Sequence, residues 1–290
     1  MRPTAHTSRC SPRRATSVPG PRPSHFASAK LKLHKRDSRK TLYIFSPLSF
    51  AKDLLGFLPE PAQEHVLANA HFSKRIALNC NRQWGKSTIA AILVAHRLAT
   101  QPNSLVLIVA PAGRQSGETF LKVKDFLWTL NLAFQSDGVN PNSLVLNNGS
   151  RLVSLPAVDG TTRGFSAVSM LLFDEASRIK DRIYLAFRPM LAVAKGDLIL
   201  ISTPDGRRGF FYREMAGLDS TANQWFRHTG PVTECIPRIS QQIIDEEKAK
   251  GDAYFNREWL CHFVETAIYV LDELTIHNMI KREIEAYQWL

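Results

Sequence analysis

The sequence has few cysteines, no zinc-type spacing among them, and no long apolar run. Four cysteines occur in 290 residues, and none belongs to a Cys-x-x-Cys pair. This argues against a zinc knuckle or a disulfide scaffold and is typical of a protein of the reducing cytosol. No apolar run approaches the roughly 20 residues that a membrane helix needs, and the first residues lack a secretory hydrophobic core. We therefore expect a cytoplasmic protein without membrane contacts.

Acidic residues are almost missing from the first 40 residues. This stretch contains 11 Lys and Arg but a single acid, Asp37, and few large apolar side chains. Such a composition buries too little surface to offset its ordering entropy, so we predict a disordered basic tail. An over-extended gene start, a nucleic-acid arm and an organelle transit peptide are its open interpretations. Residues 41–290 hold 26 basic and 25 acidic residues, so the overall charge does not indicate nucleic-acid binding by the folded part.

Continuous apolar runs at 105–110, 169–173 and 198–202 predict the fold class. Runs of this kind, separated by helical patterns, indicate a buried and mainly parallel sheet with helices on both faces, an α/β fold. Further strands are predicted at 76–79, 144–146, 151–155 and 224–228, and helices at 86–99, 115–130, 181–190, 208–215 and 241–250. Another helix is predicted to follow residues 59–63 and to end near residue 70. Asn147-Asn148-Gly149 predicts a hairpin turn between two of these strands.

Gly85-Lys86-Ser87 stands between the strand at 76–79 and the helix that follows it. This context favours a phosphate-binding loop, because the N–H groups and the dipole of a helix N-terminus attract a polyphosphate. Lys86 would add a point charge, and the neighbouring hydroxyl can ligate magnesium. The pattern expects a glycine five residues before Gly85, where the sequence has Cys80. An ordinary strand-to-helix turn with a surface lysine is the alternative.

Asp174 and Glu175 follow a strand of four apolar residues. The carboxyl ends of parallel strands lie at one edge of the sheet, so these acids should meet the phosphate loop there. Asp174 can hold magnesium, and Glu175 can orient and deprotonate an attacking water. A glutamate directly after the aspartate is typical of ATP-hydrolysing P-loop proteins of the ASCE type. The two features together predict a nucleotide site.

Two more stretches have both a functional and a structural interpretation. Ser202, Thr203 and Pro204 end a strand, and the hydroxyls could bond a terminal phosphate or its water. Ordinary turn chemistry at Pro204-Asp205-Gly206 explains the same residues. Arg163 lies shortly before the acidic strand. It is either a solvated arginine or one that reaches the γ-phosphate of a neighbouring subunit.

Together these residues resemble the large terminase subunit of tailed bacteriophages and prophages, the DNA-packaging motor. The resemblance covers residues 57–264. It rests on Asn81-Arg82-Gln83-Trp84-Gly85-Lys86-Ser87-Thr88, Val109-Ala110-Pro111, Arg163-Gly164, Leu172-Phe173-Asp174-Glu175-Ala176, Ile201-Ser202-Thr203-Pro204 and Glu258-Trp259-Leu260-Cys261-His262-Phe263. A loop without its first glycine is typical of that family, so Cys80 agrees with the resemblance.

The resemblance implies a role for each site residue. Gln63 would read adenine, and the nucleotide would lie on Arg82, Gln83, Trp84, Gly85, Lys86, Ser87 and Thr88. Ser87 and Asp174 would be the protein ligands of Mg²⁺, and Glu175 the general base. Arg82 in cis or Arg163 in trans would contact the γ-phosphate. Ser202, Thr203 and Pro204 would form the segment that couples hydrolysis to movement.

The resemblance also implies ATP and Mg²⁺ as cofactors and a ring of subunits at the portal, in the cytoplasm of a bacterial host. Double-stranded DNA, the portal protein and the small terminase subunit would be the partners. Complete large terminases carry a second, RNase H-like nuclease domain, whereas only about 25 residues follow Glu265 here. We therefore predict a basic tail at 1–40, an ATPase domain at 41–265 whose lead-in at 41–72 contains Gln63, a linker at 266–290, and no nuclease activity. The alternatives are a prophage remnant that binds nucleotide or portal without turnover, and a helicase-like DNA-dependent ATPase.

Overall fold

The computed structural model describes residues 46–138, 142–158, 164–218, 224–236 and 238–264. All of them belong to one unit of the chain, Arg39–Leu290. The tail predicted for residues 1–40, the linker predicted for 266–290 and Arg163 lie outside the described residues.

Within the described residues, an eight-stranded sheet forms the centre of the fold. Its strands are β1 (Arg75–Cys80), β2 (Leu105–Ala110), β3 (Phe134–Gln135), β4 (Ser143–Leu146), β5 (Arg151–Pro156), β6 (Met170–Asp174), β7 (Asp197–Ser202) and β8 (Phe226–Gly230). The order is β3-β4-β5-β2-β6-β7-β1-β8. The neighbouring strands β5, β2, β6, β7, β1 and β8 pair in parallel, while β3 and β4 extend one edge of the sheet in antiparallel pairing.

Helices cover both faces of this sheet. They are α1 (Pro47–Ser49), α2 (Pro61–Ala70), α3 (Lys86–Thr100), α4 (Gly113–Thr129), α5 (Asp181–Phe187), α6 (Gly209–Ala216), α7 (Gln241–Lys248) and α8 (Asp252–Glu258). The core on one face contains side chains of α2, α3 and α4, and the core on the other contains side chains of α5 and α6. No helix in the described part of the chain is long and apolar enough to cross a bilayer.

Strand β2 shows why its apolar run is continuous. Val106 and Ile108 belong to the core under α3 and α4, whereas Leu107 and Val109 belong to the core under α5 and α6. Successive side chains of a strand point to opposite faces, so a strand covered on both sides needs apolar residues at every position. The predicted α/β architecture with a mainly parallel sheet is confirmed.

The structure differs from the predicted elements at several ends. The predicted hairpin joins β4 and β5, with Gly149 at φ +84° in its turn. Helix α5 ends at Phe187 and continues as a 3₁₀ turn, Arg188–Leu191, because Pro189 offers no N–H for an α-helical bond. Strand β8 lies two residues later than predicted. The short strand β3 and helix α8 were not predicted.

Candidate functional site

The loop between β1 and α3 is shaped by its own side chains. Asn81 accepts a hydrogen bond from the Gln83 N–H at 2.8 Å, a local turn that asparagine commonly makes. Gly85 ends the loop at φ +91°, in the left-handed region. A Cβ at this position would also lie 2.9 Å from Nε2 of Gln63. The backbone angle favours glycine, and any side chain here would also have to displace the hydrogen-bonded amide of Gln63. The loop delivers the N-terminus of the 15-residue helix α3.

Gln63 supports the loop from α2. Its Nε2 donates to the carbonyl of Trp84 at 2.7 Å, and its Oε1 accepts from the N–H of Glu60 at 3.0 Å. The side chain is buried. Both ends of the amide are thus engaged with the protein, one of them with the loop itself. Adenine recognition by Gln63 stays a prediction.

Trp84 points away from the loop surface and into the core. Its indole is fully buried, and Nε1 donates to Oε2 of Glu234 at 2.7 Å. The same carboxylate oxygen lies 3.0 Å from Nε2 of His228 on β8. The side chain therefore fixes the loop to β8 and its following turn. The backbone of Trp84 is engaged as well, because its N–H donates to the Asn81 carbonyl at 3.2 Å and its carbonyl accepts from Gln63.

Lys86 and the two acids come together at the carboxyl edge of the sheet, as predicted. The buried Nζ of Lys86 lies 3.7 Å from Oε1 of Glu175. Asp174 is buried at the end of β6, and it accepts a 2.6 Å hydrogen bond from Oγ1 of Thr119. Burial raises the pKa of Asp174, an effect that the Thr119 hydrogen bond and the charge of Lys86 oppose.

Glu175 occupies a left-handed backbone position, with φ +52° and ψ +46°. Such a conformation is uncommon for residues other than glycine, asparagine and aspartate. Here it forms the turn between β6 and the 3₁₀ turn Ala176–Arg178. Strained backbone of this kind is found at many active sites, where it places a side chain against a ligand.

The oxygen atoms near Lys86 are suited to magnesium. Ser87 is the second residue of α3, and Asp174 supplies a carboxylate at the same edge of the sheet. Hydroxyl and carboxylate oxygens are ligands that Mg²⁺ prefers, usually with phosphates and water completing the set. Among the described residues, no group of three or more His, Cys, Asp or Glu could hold a metal. The donor set therefore fits a magnesium ion bound mostly through a nucleotide.

Ser202, Thr203 and Pro204 are buried at the end of β7. Oγ of Ser202 donates to Oγ of Ser177 at 2.8 Å and accepts from the Ser177 N–H at 3.2 Å. Ser177 belongs to the turn that directly follows Glu175. The predicted coupling segment is thus bonded to the turn that follows the two acids.

The structure describes only one of the two candidate arginines, Arg82. Arg82 is 64% exposed, and its Nε lies 3.0 Å from Oε2 of Glu258 at the end of α8. Glu258 also accepts a 3.1 Å contact from Nε of Arg257. Arg163 lies outside the described residues, so its role stays a prediction.

Several residues around the site were missed from the sequence. Thr119 contacts Asp174, and Nζ of Lys122 lies 3.4 Å from Oγ1 of Thr88. Arg238 donates to Glu60 and to the carbonyl of Gln83. Like Glu234 and Glu258, these residues reach the site from parts of the chain that are distant in sequence. Of these residues, only Glu258 lies in a segment on which the family resemblance rests, so only its place near the site could have been suspected from the sequence.

The comparisons with known proteins agree with this geometry. No family model matches the chain. The large terminase subunit of Thermus phage G20c is 26% identical over 246 residues, which cover 76% of this chain and 47% of the relative. The chain therefore spans about half the length of the curated relatives that it matches.

Solved structures share the fold. The large terminase ATPase domain of Thermus phage P74-26 matches with a TM-score of 0.66 and 21% identity, over 76% of this chain and 100% of that one. The large terminase of a thermophilic bacteriophage, solved in complex with ADP, matches with a TM-score of 0.61 and 14% identity, over 71% of this chain and 54% of that one.

Fold and site first define a class of protein. A parallel sheet with a glycine–lysine–serine loop and two acids at its carboxyl edge is a P-loop NTPase fold of the ASCE type. The matches narrow this class: the chain is similar in sequence to the large terminase subunit of Thermus phage G20c, and it shares its fold with the large terminase ATPase domain of Thermus phage P74-26.

Proposed function

We propose that the chain is the ATPase motor domain of a phage or prophage large terminase, which couples ATP hydrolysis to the translocation of double-stranded DNA into a procapsid. The observation that carries the proposal is the contact of Lys86 with Glu175, next to Asp174, at one edge of the sheet. The relatedness to phage large terminases supports it. The terminase of the thermophilic bacteriophage, which shares the fold, is in complex with ADP and with ATP-γ-S in its solved structures.

The phosphate chain of ATP would lie across the N-terminus of α3. The loop N–H groups and the helix dipole favour its negative charge, and the buried ammonium of Lys86 adds a fixed positive charge. When bound, Mg²⁺ would neutralise charge on the phosphate oxygens, and Ser87 and Asp174 would be its protein ligands. Gln63 would face the adenine side of this loop.

Glu175 would act as the general base. Its carboxylate would take a proton from the water that attacks the γ-phosphorus, while the bond from the γ-phosphorus to the bridging oxygen breaks and ADP leaves. The left-handed position of Glu175 places its carboxylate 3.7 Å from the Lys86 ammonium. The phosphate-binding ammonium and the carboxylate of the base are thus close together before a ligand binds.

Arginine would stabilise the additional negative charge of the transition state. Arg82 is exposed beside the loop and would have to leave Glu258 to reach the γ-phosphate. Arg163 would serve the same purpose from a neighbouring subunit of a ring. Ser202, bonded to the turn after Glu175, would pass the change on hydrolysis to β7.

The partners belong to the proposal as well. In a packaging motor the chain would act as a ring at the portal protein, in the cytoplasm of the bacterial host, with the small terminase subunit selecting the DNA. The nearly neutral balance of residues 41–290 implies that any DNA contact comes from a local basic patch.

Phosphate release with and without double-stranded DNA tests the proposal. We expect the wild-type chain to hydrolyse ATP faster with DNA, Glu175→Gln to bind ATP without turnover, and Lys86→Ala to bind ATP at least about tenfold more weakly. Lys248→Ala, at an exposed position of α7 remote in sequence from the loop, is the matched control and should behave as wild type. A folded wild-type protein that releases phosphate no faster than Glu175→Gln would contradict the motor. Nucleotide binding without turnover, even with DNA and portal protein, would favour the remnant.

A further inference from the structure

A cavity of about 480 Å³ opens at the edge of the sheet opposite the phosphate loop. It lies beside the first residues of β1, β6 and β7, and the C-terminal end of α3 forms one wall. Parallel strands begin at one edge and end at the other, so this cavity is separated from the nucleotide site by the length of the strands. It has no part in the reaction described above.

The floor of the cavity is apolar. Ile76, Leu93, Met170 and Ile199 line it, all buried members of the core on the α3 face. Each of these four side chains is at most 4% exposed, so the apolar surface that water contacts lies mainly on the rim. Covering that surface with an apolar group is favourable, because the group removes it from water. The rim offers further apolar surface, since Phe72 is 84% exposed and Val193, next to the lining residue Ala194, is 78% exposed.

The rim of the cavity is positively charged. Lys74, Arg97 and Lys195 line it together with a single carboxylate, Asp197. Arg97 is paired with Asp197. Among the described residues, neither lysine has a carboxylate within ion-pair distance, and Nζ of Lys74 has only a 3.4 Å contact with the Lys195 carbonyl. Two ammonium groups at the mouth therefore remain available for an anionic partner.

The negative end of α3 is partly neutralised by hydrogen bonds. The carbonyl of Gln101, just after the helix, accepts from the hydroxyls of Ser104 at 2.6 Å and Ser150 at 3.0 Å. The carbonyl of Leu98 accepts from Nδ2 of Asn148 at 2.8 Å. Carbonyls satisfied in this way project less negative potential into the cavity than free ones would.

We propose that this cavity is a docking site for an acidic protein segment that carries a large apolar side chain. The apolar side chain would cover the floor, and flanking carboxylates would pair with Lys74 and Lys195 at the mouth. The floor distinguishes this occupant from nucleic acid, whose backbone offers phosphates and sugars but no large apolar group. The complementary charge distinguishes it from a purely apolar segment.

Methyl NMR of the full chain reports on the cavity directly. The probe is a capped dodecapeptide with a central Leu-Phe pair flanked by alternating Asp and Glu. We expect it to shift the methyl signals of Ile76, Met170 and Ile199 in a saturable way, while Ile183 on the other face of the sheet stays unchanged. The same peptide with Asn and Gln in place of its acids should bind at least about tenfold more weakly, because each lost ion pair removes affinity.

Charge and shape are tested by separate variants. Lys74→Glu combined with Lys195→Glu should weaken binding of the acidic peptide about tenfold or more, whereas Lys180→Glu combined with Lys248→Glu, at exposed positions elsewhere, should leave it unchanged. Ala194→Phe keeps the charge and should hinder entry of the Leu-Phe pair. A peptide that shifts no floor methyl at about 1 mM, or that binds the Lys74 and Lys195 variant equally well, overturns the proposal.

Nucleic acid is the third arm of the experiment. The contrary result is a 20-base-pair DNA duplex that shifts the same methyl signals in the wild-type chain but not in the Lys74 and Lys195 variant. That result would overturn the proposal of a peptide site and identify DNA as the ligand. The proposal does not depend on ATP turnover. ATP binding by that variant should equal wild type, so failure at this edge is distinguishable from failure of the nucleotide site.

Discussion

The hydroxyl of Thr119 on α4 donates a 2.6 Å hydrogen bond to Oδ2 of Asp174 at the end of β6. Both side chains are buried. Burial is the larger influence on this carboxyl and raises its pKa, while the Thr119 hydrogen bond acts in the opposite direction. The aspartate is therefore held where its charge is unfavourable until a cation binds beside it.

Replacing Asp174 by Asn should stabilise the protein in the absence of nucleotide. The amide keeps an acceptor for Thr119 and removes the buried charge, so we expect Tm to rise by about 2–4 °C at pH 7. The folded-state pKa is raised, so the wild-type protein loses stability as pH rises from the ordinary value of 3.8 through the raised one. The Asn variant lacks this loss. Thermal melts across pH measure both effects, and ATP hydrolysis should disappear.

Thr119→Val is the companion variant for this site. It removes the donor and leaves the buried carboxylate without its hydroxyl partner, so Tm should fall. An Asn variant that melts below wild type at pH 7 would show that the charge of Asp174 stabilises the fold.

Gly230→Ala should disturb the phosphate loop from the end of β8. A Cβ at this position would lie 2.5 Å from the Trp84 ring and 3.0 Å from Sγ of Cys80. The indole is fully buried and bonded to Glu234, so it cannot retreat without moving the loop. We expect a loss of about 1–3 kcal/mol in the free energy of unfolding, together with weaker ATP binding.

Gly117→Ala provides the matched control for this overpacking. Gly117 is a helical residue of α4, and a Cβ there would meet nothing within 4 Å. Since alanine is the better helix former, urea unfolding should show equal or greater stability. Equal effects of both substitutions would argue against the contact with Trp84.

The sequence was sufficient to predict the fold because the inner parallel strands β2, β6 and β7 are covered on both sides. This coverage makes every residue of β2 apolar, and likewise the four residues 198–201 of β7, a pattern that few other structures produce. The short strand β3 has two residues and pairs only with β4, so no periodic signal identifies it. Helix α8 has seven residues, of which only Phe255 and Glu258 are buried, so it shows no apolar periodicity.

The part of the site that lies at strand ends could be predicted from the sequence, and the part that depends on tertiary packing could not. Lys86, Asp174 and Glu175 could be brought together from the sequence, because all three follow strands whose carboxyl ends share one edge. Thr119 and Glu234 could not. Their contacts depend on how a helix rotates over the sheet and where a loop returns, and packing of the whole domain determines both.

Glu258→Gln should favour ATP over ADP. The carboxylate of Glu258 is 8% exposed and accepts from Arg82 at 3.0 Å and Arg257 at 3.1 Å. A neutral amide holds Arg82 less strongly, so an arginine that contacts the γ-phosphate becomes easier to recruit. We expect ATP affinity to rise by about two- to fivefold with ADP affinity unchanged, a gain of up to ~1 kcal/mol. Competition with a fluorescent nucleotide measures both.

Arg257→Gln tests the same relationship in the opposite sense. Without Arg257, the carboxylate of Glu258 is paired with Arg82 alone and holds it more strongly. Arg82 is then harder to recruit to the γ-phosphate, so ATP affinity should fall slightly. If ATP and ADP affinities change in parallel in both variants, Arg82 has no specific contact with the γ-phosphate.

Ser202→Ala should separate hydrolysis from its stimulation by DNA. The substitution removes the 2.8 Å bond to the Ser177 hydroxyl and leaves the Ser177 N–H without its acceptor. We expect a stability cost of about 1–2 kcal/mol and basal ATP turnover close to wild type, with the DNA stimulation lost. Ser177→Ala keeps the bond from its N–H to Ser202 and should retain most of the stimulation. Phosphate release with and without DNA compares the two variants, and identical stimulation in both would exclude this bond from coupling.

Buried thiols should make the protein sensitive to alkali. Cys261 donates to the carbonyl of Gly230 at 3.2 Å, and burial raises its pKa to about 12. Between pH 9.0 and about 12 the unfolded chain releases this proton while the folded chain keeps it, so stability falls as pH rises through that window. In the Cys261→Ala variant, urea titrations at pH 8 and 10 should show a smaller loss of stability between the two pH values.

In a Cys10→Ser variant, a thiol reagent at pH 8 should label the folded protein slowly and the unfolded chain completely, because thiolate is the reactive form. Rapid labelling of the folded variant would contradict the burial of its thiols.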